Sequence, residues 1–334
     1  MGTFQSYGVS SVQFLRGTFY RWAQLFPTIC PDLDKAVKVL AVGDLHIASF
    51  GTWRDGFGRL IWGVDDFDEA YPLPYASDLV RLAVSALLDA SEGEIAVGLR
   101  NVCDVILEGY VSGLTEGGKP FVLEERRTWL RKIALDCLDV PAGFWKKMDA
   151  LPAVRSGIPS GARNALARLL PATRLSYRLV QRIAGIGSLG HPRYVAVADW
   201  LGGQIALEAK AAAPSACFWA KQGTGGRIYY QTVLDRAVRC PDPFVRLCST
   251  WLVRQLAPDS SPIDIETMNG REDQDRLLNA MAFETANVHL GSTRAAKRVR
   301  ADLKRRPAKW LRSAVKSMLK TTMSDRAEWK RSHG

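Results

Sequence analysis

The chain has 334 residues, 47% hydrophobic and 24% charged, enough to bury one large core or two modest ones. No apolar run reaches the roughly 18 residues of a membrane span, and no basic segment followed by an apolar core opens the sequence, so the composition predicts a cytoplasmic protein without a membrane span. The net charge of +11 has one source: from Thr293 onward fourteen Lys/Arg face only Asp302, Asp325 and Glu328, and the rest of the chain balances at 31 against 31.

In chain order, residues 1–36 read as helical with a loop, and residues 37–66 as two strands flanking the turn "ASFGTWRDGFG", whose Asp-Gly and Gly suit a β-connection. One run, "VLAV", stops in Gly43-Asp44-Leu45-His46; the next, "RLIWGV", stops in Asp65, Asp66 and Asp68. Carboxylates and a histidine placed where strands end point to chemistry. Ser77 is the expected N-cap of "DLVRLAVSALLDA", the first of several helices running to about Leu170 and broken by "GLTEGGKP", "DVPAG" and "GIPSGA". The runs "RIAGIGSLGHPRYVAVADWLGGQIALEAK", "GRIYYQTVL" and "STWLVRQLAP" are β-branched or aromatic with Gly and Pro between them, which predicts a small antiparallel sheet. Helices resume from about Pro262. In the basic tail, Val299, Leu303, Trp310 or Leu311, Val315, Met318 and Leu319 recur at helical spacing, with Pro307 as a break. Core-packed helices with a solvated basic face are the favoured reading of this tail, ahead of a surface for nucleic acid, acidic lipid or an acidic partner. The expected organisation is a helix-rich lobe over 1–174, a small β lobe over 175–262 and C-terminal helices over 263–334 that pack on the helical lobe.

Cys30, Cys103, Cys137, Cys217, Cys240 and Cys248 form no Cys-x-x-Cys pair and have no nearby histidine, so they read as small buried hydrophobes in a reducing compartment. "GIGSLG", with Gly185, Gly187, Ser188 and Gly190, fits the G-x-G-x-x-G pattern but continues as strand, turn, strand. That sequence is wrong for a dinucleotide fold, whose glycine loop opens a helix. A glycine loop joining two antiparallel strands, with Lys210 on the following strand, is the arrangement with which kinases cover ATP and hold its phosphates; an ordinary hairpin with a surface lysine fits equally well. Asp44, Ser49 and Asp66 fall at the spacings of a kinase's base, second oxygen ligand and magnesium ligand.

The segment "GDLHIASFG…GVDDFDEAYPLPYASDLVRLAVSALL" resembles the catalytic core of aminoglycoside-phosphotransferase-like kinases. Together with "FLRG", "GIGSLG…RYVAVADW", "LEAK", "WLVRQL" and "ETANVHLGS", it is closer still to the bacterial DUF2252 family, whose function is largely uncharacterised. The resemblance implies an α+β, protein-kinase-like fold of two lobes, circularly permuted because the catalytic loop precedes the glycine loop and lysine. It implies Asp44 as catalytic base, Asp66 aided by Asp68 or Asp65 as Mg²⁺ ligand, Ser49 as a further ligand, Asp78 as a structural acid, and Lys210 with the glycine loop holding ATP. Ser49 stands where the family carries Asn, and Asp65 where its "NDFDE" begins. The expected function is an ATP- and Mg²⁺-dependent phosphotransferase acting on an unidentified small-molecule or protein hydroxyl; the alternative is a kinase-like pseudoenzyme that binds nucleotide or works through its basic tail on an acidic partner. His46 is expected to pack beneath the loop and hydrogen-bond backbone as a structural residue. A metallophosphoesterase would need further histidine motifs, and His191, His289 and His333 supply none. Arg16 reaches either a phosphate or a structural ion pair. The tryptophans read as core, with Trp251 near a hinge-like strand.

Overall fold

The structure, a computed structural model, describes residues 9–92, 98–125, 127–183, 191–221, 223, 226–263 and 270–333. Three helices open it, α1 (Ser11–Gly17), α2 (Phe19–Ile29) and α3 (Pro31–Asp34). Ser10 and Gln13 start α1 as a reciprocal capping box: each side chain accepts the other's backbone N–H, at 3.1 and 3.0 Å. There follow β1 (Lys38–Ala41), β2 (Phe50–Arg54), β3 (Leu60–Val64) and β4 (Tyr71–Pro74), then the long helices α4 (Tyr75–Glu92) and α5 (Leu99–Glu116). A short strand β5 (Phe121–Val122) leads to α6 (Thr128–Asp136), α7 (Pro141–Asp149) and α8 (Ser160–Leu169). Strands β6 (Arg178–Gln181), β7 (Arg193–Trp200) and β8 (Gly203–Ala211) precede α9 (Ala216–Ala220) and α10 (Tyr230–Arg236), and β9 (Arg246–Cys248) and β10 (Trp251–Leu256) complete the sheet. The chain ends in α11 (Arg271–Leu290), α12 (Thr293–Arg305) and α13 (Trp310–His333).

The fold is α+β with small antiparallel sheets: β1-β4, β2-β3-β5, and a five-stranded sheet in the order β6-β7-β8-β10-β9. Three local expectations are corrected. The strand before Gly43 does not form a hairpin with the strand before Asp65. It pairs with β4, Val39 opposite Leu73, and the hairpin is β2-β3, closed where the Asp55 carboxylate accepts the Phe57 and Arg59 N–H groups. Residues assigned to the turn therefore lie in β2, because Phe50, Gly51, Thr52 and Trp53 are all buried and a buried backbone needs ladder partners. Ser77 is not an N-cap: α4 begins at Tyr75, and the Ser77 hydroxyl accepts the Trp22 indole N–H at 3.3 Å. "GRIYYQTVL" contributes a helix, α10, since Tyr230 and Val233 at i, i+3 bury one face and override the β propensity of the aromatic pair.

One hydrophobic cluster joins α1–α5 and the first strands to α11–α13. Helices α5 and α11 approach closely because Gly109 has no Cβ, which would lie 2.1 Å from the Asn279 carbonyl oxygen. In the tail, Val299, Leu311, Val315 and Met318 are buried in this cluster, and Leu303, Trp310 and Leu319 pack against it. Tail polar groups are engaged as well: Tyr75 donates to Asp302 at 2.8 Å, and Arg312 meets Asp104 at 2.6 Å. The tail helices are thus core elements with a basic outer face. The five-stranded sheet carries a cluster on each side: Ala162 and Leu166 of α8 cover Leu207, Ala209 and Val253, while Phe144 and Met148 of α7 cover Val195, Val197, Ala206 and Leu256. All six cysteines are free, and burial pushes the Cys103 and Cys217 thiols up to about 12, consistent with inert core residues. No helix among the described residues is long and apolar enough to cross a membrane.

Candidate active site

Helix α4 holds the Gly43–Ile47 loop with polar side chains on one of its faces. Asp78, fully buried, accepts the Val42 N–H at 2.8 Å and the Gly43 N–H at 3.1 Å. Three residues on, Arg81 donates from Nε at 3.0 Å to the carboxylate of Asp44, with a second bond from Nη2. Ser85 accepts the Ile47 N–H at 3.1 Å. Positions i, i+3 and i+7 line one helical face, so these residues read out the loop in order. Gly43 has φ of +85°, and a Cβ there would sit 2.2 Å from the Glu69 carbonyl oxygen; only glycine fits where the loop passes the segment after β3. Behind Asp78, His289 of α11 supports the clamp. Its Nε2 lies 3.0 Å from Asp78 Oδ2 and its Nδ1 2.8 Å from the Tyr110 hydroxyl. Because the carboxylate can only accept, Nε2 carries a proton, and in the neutral ring Nδ1 then accepts from Tyr110.

The second wall is the segment after β3. Its entry is fixed by the Asp65 N–H donating to the Ser49 carbonyl at 3.1 Å, and Asp66 Oδ1 accepts the Asp68 N–H at 3.1 Å. The third wall is the end of the five-stranded sheet not covered by α7. Alternation along β8 brings Glu208 and Lys210 to the same face as Ala206; Arg193 lies opposite Lys210 on β7 and Arg254 opposite Glu208 on β10. Fully buried Glu208 accepts from Arg182 Nη1, Arg193 Nη1 and Arg254 Nε, each at 2.9 Å. Lys210 Nζ reaches across to Asp68 Oδ2.

These walls enclose a cavity of about 470 Å³, lined by Arg16, Asp44, His46, Asp65, Asp66, Asp68 and Glu69 from the loop side and by Arg182, Arg193 and Arg254 from the sheet side. The volume is within the range of small-molecule sites. Its electrostatics are set by desolvation and crossed charge. Burial pushes the Asp44 carboxyl up against the pull of Arg81. Asp65 is raised to about 6 by desolvation and by neighbouring Asp66. Desolvation would raise Asp66 too, but Lys210 and Arg254, with Arg193, hold it below the usual carboxylate range. Burial lowers His46 far below an ordinary imidazole, reinforced by Arg16 and Arg81, so the ring is neutral. For Glu208 the three arginines outweigh burial and hold the carboxyl down to about 2.

Asp44, Asp66 and Asp68 therefore line one cavity, and Lys210, which does not line it, joins them through its contact with Asp68. Ser49 is close in sequence but turned away: its hydroxyl accepts the His46 N–H at 3.0 Å and donates to the Asp44 carbonyl at 3.2 Å. Gly185, Gly187, Ser188 and Gly190 lie outside the described residues. For a divalent cation, the fitting donors are Asp66 and Asp68: Asp66 opens onto the cavity, and Asp68 Oδ1 is buried without a hydrogen-bond partner. No cluster of three or more His, Cys, Asp or Glu arranged to hold a metal occurs among the described residues.

Sequence reading missed Arg81, Ser85, His289 and the Glu208 arginine cluster. A signal for the first two was present: Asp78, Arg81 and Ser85 are the polar members of an otherwise apolar helical run, spaced on one face. His46 is buried and lines the cavity; its Nδ1 is buried without a hydrogen-bond partner and its Nε2 lies 4.0 Å from Asp44 Oδ2. Arg16 lines the cavity, where its buried Nε has no hydrogen-bond partner.

No curated protein and no solved structure is similar enough to match the chain. Residues 6–136, which span α1 to α6 and include the Asp44 loop, the aspartates after β3 and the α4 clamp, match the DUF2252 family, described as uncharacterized protein conserved in bacteria.

Proposed function

We propose that the protein is an ATP- and Mg²⁺-dependent phosphotransferase acting on a hydroxyl acceptor, with a kinase-like arrangement in circularly permuted order. The observation that carries this reading is that Asp44, Asp66 and Asp68 line one cavity and Lys210, from a distant part of the sequence, contacts Asp68 at its edge. Asp44 is the general base: it takes the proton of the acceptor hydroxyl as that oxygen bonds to the γ-phosphorus, while the bond from phosphorus to the bridging oxygen breaks and ADP leaves. Arg81 fixes the Asp44 carboxylate and burial keeps it more basic than a solvated carboxylate. Lys210 exchanges its contact with Asp68 for donor phosphate oxygens. A magnesium ion held by Asp66 and Asp68 would neutralise phosphate charge. The permuted order is supported by α11: from the C-terminal part of the chain, its His289 braces Asp78, Glu284 accepts the Val64 N–H, and the following Ser292 accepts the Leu40 N–H, all behind the N-terminal loop.

One observation favours the second reading, a nucleotide-binding pseudoenzyme: the Ser49 hydroxyl is committed to backbone where the family carries an amide. Calorimetry of ATP with Mg²⁺ tests the first part of the proposal. Asp66→Asn is expected to weaken the Mg²⁺-dependent component at least tenfold, and equal affinity in both proteins removes Asp66 from the metal role.

A further inference from the structure

The Glu208 cluster is larger than a structural ion pair requires. One guanidinium balances a buried carboxylate, yet three converge on Glu208, and Arg182, Arg193 and Arg254 all line the cavity. Burying charge costs several kcal/mol per ion before pairing; Asp65 and Asp66 across the cavity offset part of this charge, yet the gathering of three guanidinium groups on one carboxylate still needs a reason. The geometry supplies one. Glu208 grips Arg254 through Nε and Arg182 through Nη1, contacts that fix the planes of both groups and leave the Nη groups of Arg254 and the Nη2 of Arg182 uncommitted to that carboxylate. Lys210 stands two residues along the same strand face, beside Arg193 across the ladder. Guanidinium forks match phosphate oxygens in pairs, and a carboxylate that fixes their orientation beforehand lowers the entropic cost of binding.

We infer that this face of the sheet is a phosphate-chain site: Arg182, Arg193 and Arg254, organised by Glu208 and continued by Lys210, bind the polyphosphate of the donor. The inference rests on the reading of this cavity as the phosphoryl-donor site, and it assigns phosphate recognition to strand-borne arginines. The ligand chemistry is a chain of phosphates, whether carried by a nucleoside or as inorganic polyphosphate. Glu208 is a positioning residue in this site, since it touches the arginines and not the ligand.

Arg182 and Arg254 suit the test because their side chains are 28% and 30% exposed, so their removal opens no core cavity. Sodium tripolyphosphate is titrated calorimetrically, with Mg²⁺ present, into wild type, Arg182→Ala, Arg254→Ala and the double variant. ATP and adenosine are run alongside, and thermal midpoints check folding. The expected result is saturable tripolyphosphate binding that falls about tenfold or more in each single variant, as loss of a charge-assisted contact implies, and further in the double variant. ATP tighter than tripolyphosphate identifies a nucleotide donor; equal affinities identify recognition of the phosphate chain alone. Wild-type tripolyphosphate affinity in folded Arg182→Ala and Arg254→Ala overturns the inference, as does binding of adenosine as tight as ATP. The two levels fail separately: phosphate binding that depends on these arginines without phosphoryl transfer removes the phosphotransferase reading and leaves the site, whereas transfer activity with arginine-independent binding does the reverse.

Discussion

Replacing Asp78 with Asn tests how the Gly43–Asp44 loop is held. The carboxylate accepts three hydrogen bonds, from Val42 N–H and His289 Nε2–H at Oδ2 and from Gly43 N–H at Oδ1, with no exposure of its own. Asparagine preserves the shape but offers one accepting oxygen and one NH₂. If the oxygen takes the Oδ2 place, the NH₂ faces the Gly43 N–H; if it takes the Oδ1 place, two donors face the NH₂. At least one buried donor is stranded, costing about 1–3 kcal/mol, and the remaining bonds lose their ionic character at roughly 1 kcal/mol more. A total of about 3 kcal/mol is a large part of a typical 5–15 kcal/mol stability, so the variant folds but unfolds at distinctly lower urea. Tyr110→Phe, which strands only the His289 Nδ1 acceptor, is expected to cost less than Asp78→Asn. Urea titration followed by circular dichroism measures both. An Asp78→Asn midpoint within error of wild type would refute the clamp.

Two further outcomes follow from packing and charge. Glu208 has a folded value of about 2, below the ordinary glutamate value, so its contribution is complete above about pH 5 and is lost as pH falls toward 2; wild type should lose on the order of 3 kcal/mol more than Glu208→Gln over that window, and parallel acid-unfolding curves would contradict the pairing. Truncation after Gly291 removes buried Val299, Leu311, Val315 and Met318, each contributing about 1.5–3 kcal/mol; the shortened chain should be insoluble or melt far lower, and an unchanged thermal midpoint would show the basic helices to be a free arm.

The sequence was most legible where side-chain type is tied to backbone geometry. Strand ends at Gly43 and Asp65, the α12–α13 break at Pro307 and the apolar stripe of the tail follow from local rules. Strand partners did not: β1 and β3 are both apolar runs followed by acids, and nothing local says that one pairs with β4 and the other with β2. Aromatic Tyr229 and Tyr230 suggested a strand, but Tyr230 stacks edge-on against Phe67 and its hydroxyl reaches the Asp65 carbonyl, contacts visible only in three dimensions. The clamp by His289 and the arginines on Glu208 join residues distant in sequence, and in each case the polar residue sits in a run whose periodicity already accounts for it. Lys210 was readable as a candidate because it lies on a strand that follows the glycine-rich loop; its partner Asp68 was legible only as one of several acids.

The most direct test of the phosphotransfer reading is ADP release from ATP as the γ-phosphoryl group passes to water in place of the acceptor hydroxyl, with and without Mg²⁺, by wild type and Asp44→Asn, with ATP affinity measured on the same samples. A general base contributes about 10²–10⁴-fold, so Mg²⁺-dependent release by wild type should fall by at least about a hundredfold in Asp44→Asn while ATP affinity is retained. Equal release by the two proteins, or no Mg²⁺-dependent release by wild type, would contradict it.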